Sequence, residues 1–294
     1  MSISASKQKS LATSGLLFGA VVWGTVWYPY RLLAEAGIVG IQSNFLTYGF
    51  ALMLGIVFCG RQLWRERTFS LIALGIGLSA GWANVSYILA VLQGEVMRVL
   101  LLFYLAPIWT LLLSFLLLDE KTDKQELLLM SLALVGMLTM LWQGMDKLPL
   151  PQNYSEWLSL SAGFSFALSN VLTRRAAHLS ITAKSFSVWL GVCLICLAFM
   201  SVETTSWVSL SSINLVNWSW ILGVGVAVFL LILLVQFGLA HIAPNRAAII
   251  FMFELVVGAI SSYVLVGEVM SLREWIGGTM IICAALIEAS RASQ

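Results

Sequence analysis

The chain has 294 residues, of which 60% are hydrophobic and 10% charged, and a mean hydropathy of +0.94; a soluble domain carries about a quarter charged residues. This excludes a soluble single-core enzyme, and the near balance of 16 Lys and Arg against 14 Asp and Glu points to no nucleic acid and no acidic or basic partner. The charges fall in short clusters between long apolar runs, the pattern of a polytopic helical membrane protein whose surroundings are the lipid bilayer.

A helix needs about 20 mostly apolar residues to cross the hydrocarbon core. Ten such runs follow one another: Leu11 to Leu33, Gly40 to Phe58, Ser70 to Leu92, Glu95 to Leu118, Glu126 to Gln143, Ser155 to Ala176, Lys184 to Met200, Trp218 to Ala240, Arg246 to Val266 and Leu272 to Ala289. They are continuous rather than alternating, so backbone polar groups are satisfied within helices and a barrel is excluded. The first run is too long for a signal-peptide core and has no small-residue cleavage site, so it is expected to stay in the mature protein. Lys and Arg are retained on the cytoplasmic side. With the N-terminus inside, Lys7, Lys9, Arg61, Arg65, Arg67, Lys121, Lys124, Arg174, Arg175, Lys184, Arg246 and Arg291 fall inside, and only Arg31, Arg98, Lys147 and Arg273 outside. This excess predicts both termini in the cytoplasm, with an even span count, in a bacterial-type inner membrane.

Sliding the chain against itself by 148 residues aligns the third to fifth spans with the eighth to tenth. Leu74 to Gly77 meets Leu222 to Gly225, and Arg98 meets Arg246, Phe103 meets Phe251, Ser114 meets Ser262, Leu117 meets Leu265, Glu120 meets Glu268 and Glu126 meets Glu274. A unit of five spans is odd, so its second copy enters the membrane from the opposite face. The expected architecture is all-α, ten transmembrane helices in two inverted five-helix repeats, residues 1–146 and 147–294. Two inverted halves rocking about a midplane site give alternating access. The duplication makes a monomer sufficient and leaves a dimer open.

Certain residues also carry a family resemblance. Trp23-Gly24-Thr25 in the first span, Ala106-Pro107 and then Asp119-Glu120 in the fourth, Phe253-Glu254-Leu255 and then Gly267-Glu268 in the ninth, and Trp275-Ile276-Gly277 opening the tenth resemble the EamA-type drug/metabolite transporter superfamily. The resemblance covers nearly the whole chain. It implies ten helices in two inverted halves around a central cavity lined by the first, third, fourth, sixth, eighth and ninth helices, with the fifth and tenth peripheral. One departure matters: the family commonly has Glu-Pro in the ninth helix, and Leu255 follows Glu254 here. The second half therefore lacks the proline that breaks a helix, which the first half has in Pro107.

Candidate substrate-binding residues follow from polarity and position. Trp23 and Trp27 lie on the first span, Trp82 and Tyr87 on the third, Phe103 and Tyr104 on the fourth and Phe251 on the ninth. Trp23, Trp82 and Tyr104 sit well inside their runs, where an indole or phenol needs a polar partner. They either line a cavity, suited to a planar or cationic amine substrate, or pack against lipid and neighbouring helices. Glu254 is the one carboxylate near the middle of a span, where an unpaired charge costs several kcal/mol. It either couples protons or binds an amine, or it satisfies neighbouring polar groups in a structural network. Arg98 receives a substrate carboxylate or snorkels to headgroups, and Arg246, at the matching position, reads as snorkelling. Asn84, Asn170 and Gln236 offer both donors and acceptors to a zwitterion, or bond between helices.

Enzyme chemistry finds little support. Cys193 and Cys196 form Cys-x-x-Cys inside the seventh span with no histidine or acid nearby, and no His-Glu-x-x-His, phosphate loop or Gly-x-Ser-x-Gly occurs. No metal or cofactor is expected, and any drive must come from substrate or ion gradients. The expected function is secondary transport of a small metabolite by alternating access. Within it, the resemblance favours export of an amino acid or a related aromatic or cationic amine. Uptake of a similar metabolite, or a lipid-handling or regulatory role without solute transport, are the alternatives; a polar central cavity would favour transport and a dry interface the last.

Overall fold

In the computed structural model, residues 5–38, 40–66, 70–141, 150–202, 207–267 and 269–292 are described. Among them run twelve α-helices: α1 (Ala5–Glu35), α2 (Gly40–Glu66), α3 (Leu71–Gln93), α4 (Val96–Phe103), α5 (Ala106–Leu118), α6 (Lys124–Leu141), α7 (Tyr154–Arg175), α8 (Ile181–Val202), α9 (Leu215–His241), α10 (Pro244–Phe251), α11 (Phe253–Val266) and α12 (Leu272–Ala292). Arg67, Gln143, Lys147 and Glu268, and the junction between residues 146 and 147, lie outside the described residues.

Local chemistry sets the helix ends. The side chains of Ser70, Asn153 and Asn214 accept from the backbone N–H groups of Ala73, Glu156 and Asn217, capping α3, α7 and α9. Gly267, at φ 76°, closes α11 in the left-handed conformation that glycine adopts without strain.

Nine stretches are long and apolar enough to cross a membrane, with α4 and α5 forming one of them, Val96–Leu118, and α10 and α11 another, Pro244–Val266. The difference from the ten runs expected lies at α7. It has 22 residues but carries Glu156, Asn170, Arg174, Arg175 and five serines, which lower its apolarity. Its position explains why such a helix is tolerated, because it packs against α3, α4, α5 and α9 and so meets protein on several sides.

The first-half break falls where the sequence places it, between α4 and α5, with Pro107 at the start of α5. The second half breaks too, between α10 and α11 at Met252, although it has no proline there. The Met252 carbonyl accepts from Leu255 at 3.1 Å, a tighter turn than the α-helical one. Gly24 of α1 lies against this region, so close that a Cβ there would meet the carbonyl of Glu254 at 2.8 Å. Ser261 donates to the Gly24 carbonyl at 2.9 Å, holding the two helices together.

The main packed pairs are α3 with α7 and α8, α9 with α1 and α2, α5 with α7, α11 with α1, α2 with α8, and α6 with α12. Small residues permit the closest seams. Gly77 and Gly191 bring the backbones of α3 and α8 into contact, and Gly136 and Gly277 do the same for α6 and α12. Fully buried Trp189 fits over Gly55 and stacks on Phe229 with centroids 5.1 Å apart. The faces turned outward carry Val57, Phe58, Phe115, Leu116 and Val264, an apolar exterior suited to lipid.

Candidate functional site

The midspan breaks of α4/α5 and α10/α11 bring their aromatic residues together with α1 and α7. Trp23 sits edge-on to Phe166 at 5.9 Å and to Phe251 at 5.4 Å, and Phe166 meets Phe251 at 5.8 Å. Phe103 touches Phe166 at 5.8 Å, Tyr87 at 4.8 Å and Tyr104 at 5.3 Å. Glu254, half-buried, faces this cluster beside Tyr104. Phe103, Tyr104, Phe166, Phe251 and Glu254, with Pro107, Thr110 and Met252, surround a space with room for about one water. The space is small, and its chemistry is a single carboxyl group among aromatic faces, a setting able to receive an ammonium group by charge and by cation–π attraction.

Six of the twelve candidate residues thus converge: Trp23, Tyr87, Phe103, Tyr104, Phe251 and Glu254. Phe166, which bridges three of them, was not among the candidates; its position on polar α7 opposite a break is a tertiary fact with no local sequence signal. The other six are placed elsewhere. Trp27 donates to Ser261 Oγ at 2.8 Å in the seam between α1 and α11. Trp82 donates to Ser161 Oγ at 3.1 Å and packs on Phe199 of α8. Asn84 accepts from the Tyr48 hydroxyl at 3.1 Å. Gln236 accepts from Thr173 at 2.9 Å, joining α9 to α7, and Asn170 is buried on α7. Arg98 forms a two-pronged ion pair with Glu156, at 3.1 and 2.8 Å, and donates to the Leu150 carbonyl at 3.0 Å. Glu156 also accepts from the backbone of Gln152 and the side chain of Asn153, so this buried pair is well satisfied.

A polar network, of whose members the sequence singled out only Asn84, lies between α1, α2, α3 and α8. Tyr30 bonds Thr47 at 2.7 Å, Asn44 donates to Cys196 Sγ at 3.8 Å, and Tyr48 reaches Asn84. Its members are ordinary residues on four helices, and only their packing assembles them.

Charges gather at the ends of the bundle. At the end where α7 finishes, Arg174 pairs with Glu120 at 3.3 Å, Arg246 with Glu126 at 2.5 Å and with Glu288 at 3.5 Å, and Arg291 with Asp123 at 2.8 Å and Glu288 at 2.7 Å. Arg246 is thus an ion-pair hub rather than a snorkelling side chain. Arg98 lies at the opposite end, against the start of α7. The loop carboxyl of Asp123 is held below the usual carboxylate range by the backbone N–H of Glu126, with Arg291 adding to the effect. A cavity of about 280 Å³ opens at this end, lined by Lys9, Glu120, Lys121, Asn245 and Arg246 among others. Among the described residues no group of three or more His, Cys, Asp or Glu is placed to hold a metal ion.

The chain is similar to known proteins in sequence and in fold. Residues 11–142 and 153–288 both match the EamA-like transporter family. An uncharacterized transporter of Archaeoglobus fulgidus is 26% identical over 278 residues, 93% of this chain and 94% of its own. The uncharacterized transporter YojE of Bacillus subtilis is 25% identical over 198 residues, 62% of this chain and 63% of its own. A solved crystal structure superposes with a TM-score of 0.75 over 96% of this chain and 99% of the other, at 17% identity, which bears on the fold alone. With matches across both parts of the chain and an all-helical bundle of membrane-crossing length, this protein belongs to the EamA-like transporter family and is a multi-pass membrane protein.

Proposed function

We propose that this protein is a secondary transporter that exports an amino acid or a related amphipathic amine by alternating access. The observation that carries the substrate class is the Glu254 carboxyl with Tyr104, set against Trp23, Phe103, Phe166 and Phe251 where α1, α4, α7 and α10 meet. The carboxyl attracts an ammonium group and the rings accept an apolar side chain. Trp27, Trp82, Asn84, Arg98, Asn170 and Gln236 act around this centre by holding helices in place.

The mechanism rests on ten spans, with α7 as the tenth, in two inverted halves, 1–146 and 147–294. Exchange of the halves turns the α3–α7 pair into α9–α1, α3–α8 into α9–α2 and α5–α7 into α11–α1, while α6–α12 and α2–α8 map onto themselves. All these pairs are packed seams, both halves break at midspan, and the family match falls in two corresponding segments. These observations support a twofold axis in the membrane plane with a site at the breaks. In the proposed orientation the end bearing Lys9, Lys121, Arg246 and Arg291 is cytoplasmic, as the bias of Lys and Arg predicts.

The near-dry centre is also what a lipid-handling or regulatory protein would show, and the test separates the two. Purified protein is reconstituted in liposomes and exchange of radiolabelled amino acids and aromatic or quaternary amines is followed across the panel. We expect exchange of at least one amine-bearing class, lowered at least tenfold in Glu254→Gln and Phe166→Ala. Absence of exchange with folded protein would remove the transport reading; exchange unchanged in rate and pH dependence in Glu254→Gln would remove the carboxyl's role.

A further inference from the structure

We infer that the charged cavity at the end of α10 is a second binding site, which takes up the ammonium and carboxylate of a zwitterionic α-amino acid before it reaches the centre. The inference rests on the chain being a carrier and is independent of Glu254. The cavity measures about 280 Å³, large enough for a free amino acid, and two kinds of unmet polar group line it. On one side are acceptors without donors. Asn245 is 2% exposed; its Nδ2 donates to Thr122 at 2.9 Å, and its Oδ1 has no partner. Glu120 spends one carboxyl oxygen on Arg174, and its buried Oε2 has no partner either. Both oxygens are covered by the cavity wall, and an ammonium group admitted there is the donor that each lacks.

On the other side are donors without an acceptor. Helix α10 follows Ala243, whose side chain makes no capping hydrogen bond, and Pro244 at its start has no N–H, so the first-turn donors left uncapped by that residue are those of Asn245 and Arg246. Ala243, Asn245 and Arg246 all line the cavity, which therefore opens on this helix N-terminus, a place that favours a carboxylate. Lys9 and Lys121 add two flexible cations on the same cavity, while Arg246 is already taken by Glu126. An inorganic anion would leave the acceptors of Asn245 and Glu120 unmet, and an inorganic cation would leave the helix end unmet. A molecule carrying both charges on one carbon meets both.

The test uses the purified full chain in detergent and the concentration at which each compound half-saturates its thermal stabilisation. The compounds are the twenty common L-amino acids, their methyl esters, which lack the carboxylate, and their N-acetyl forms, which lack the ammonium. Measuring in Glu254→Gln isolates the end site from the centre. We expect at least one amino acid still to stabilise Glu254→Gln, with its ester and N-acetyl forms at least tenfold weaker on that variant. Adding Asn245→Ala should weaken it at least tenfold. Adding Ala243→Asp, which supplies α10 with a carboxylate of its own, should do the same in a protein at least as stable, so loss of folding does not imitate the result. The inference is overturned if no amino acid stabilises the protein, if the ester or N-acetyl form binds equally well, or if Ala243→Asp leaves binding unchanged. Binding lost in Glu254→Gln itself would place it all at the centre. Binding retained without liposome exchange would remove the carrier reading and leave the site standing.

Discussion

Arg98 and Asp123 show how differently two charged residues act in one membrane protein. Arg98 is buried with Glu156, and its guanidinium, the Leu150 carbonyl and the Gln152 and Asn153 donors complete each other. Removing one partner strands the other in a low-dielectric place, so Arg98→Met should cost about 3 kcal/mol, and Arg98→Met with Glu156→Leu should recover most of it. Denaturant unfolding in detergent of the single and double variants checks this. Asp123 is half-exposed on the loop before α6. Its carboxyl titrates below the usual range when folded, so its stabilisation is complete above the unfolded value of about 4 and fades as pH falls through the lower folded value. Asp123→Asn should lower stability in the neutral region and match the wild type at the acid end, where the wild-type carboxyl is protonated, so that the acid limb of its stability profile is shallower; an acid limb as steep as the wild type's would contradict this.

At the scale of elements, the seams decide how helices meet. Gly191 of α8 lies against Gly77 of α3 so closely that a methyl group on it would enter the Gly77 backbone, and one on Gly77 would meet the Ser187 carbonyl, whereas Gly223 of α9 faces open space. Gly191→Ala should therefore destabilise by about 2 to 3 kcal/mol through forced separation of the helices. Gly223→Ala should be neutral or stabilise by up to about 1 kcal/mol, the ordinary helix-propensity gain. Equal thermal shifts in the two variants would show that the α3–α8 contact does not limit stability. The breaks in α4/α5 and α10/α11 belong to the same scale. Pro107 announces the first locally; nothing in Phe251-Met252-Phe253 announces the second, which lies where α1 packs against the Glu254 carbonyl.

Across the whole molecule, the proposed function is divided between an aromatic centre and an open charged end. The ion pairs of Arg246 and Arg291 with Asp123, Glu126 and Glu288 tie the loop before α6, the start of α10 and the end of α12 beside that open end. Any state that opens the centre toward this end has to rearrange them. The sequence by itself determined the helical, membrane-embedded class, the family, the segregation of cations and every residue of the central cluster but Phe166, because apolar run length, charge position and aromatic placement are local quantities. It missed Phe166, the Tyr30–Thr47 and Tyr48–Asn84 network, the break at Met252 and the partners of Arg98 and Arg246. Those were decided only when helices distant in the chain packed, since a hydrogen bond, an ion pair or a shared ring contact belongs to two surfaces and is encoded in neither one alone.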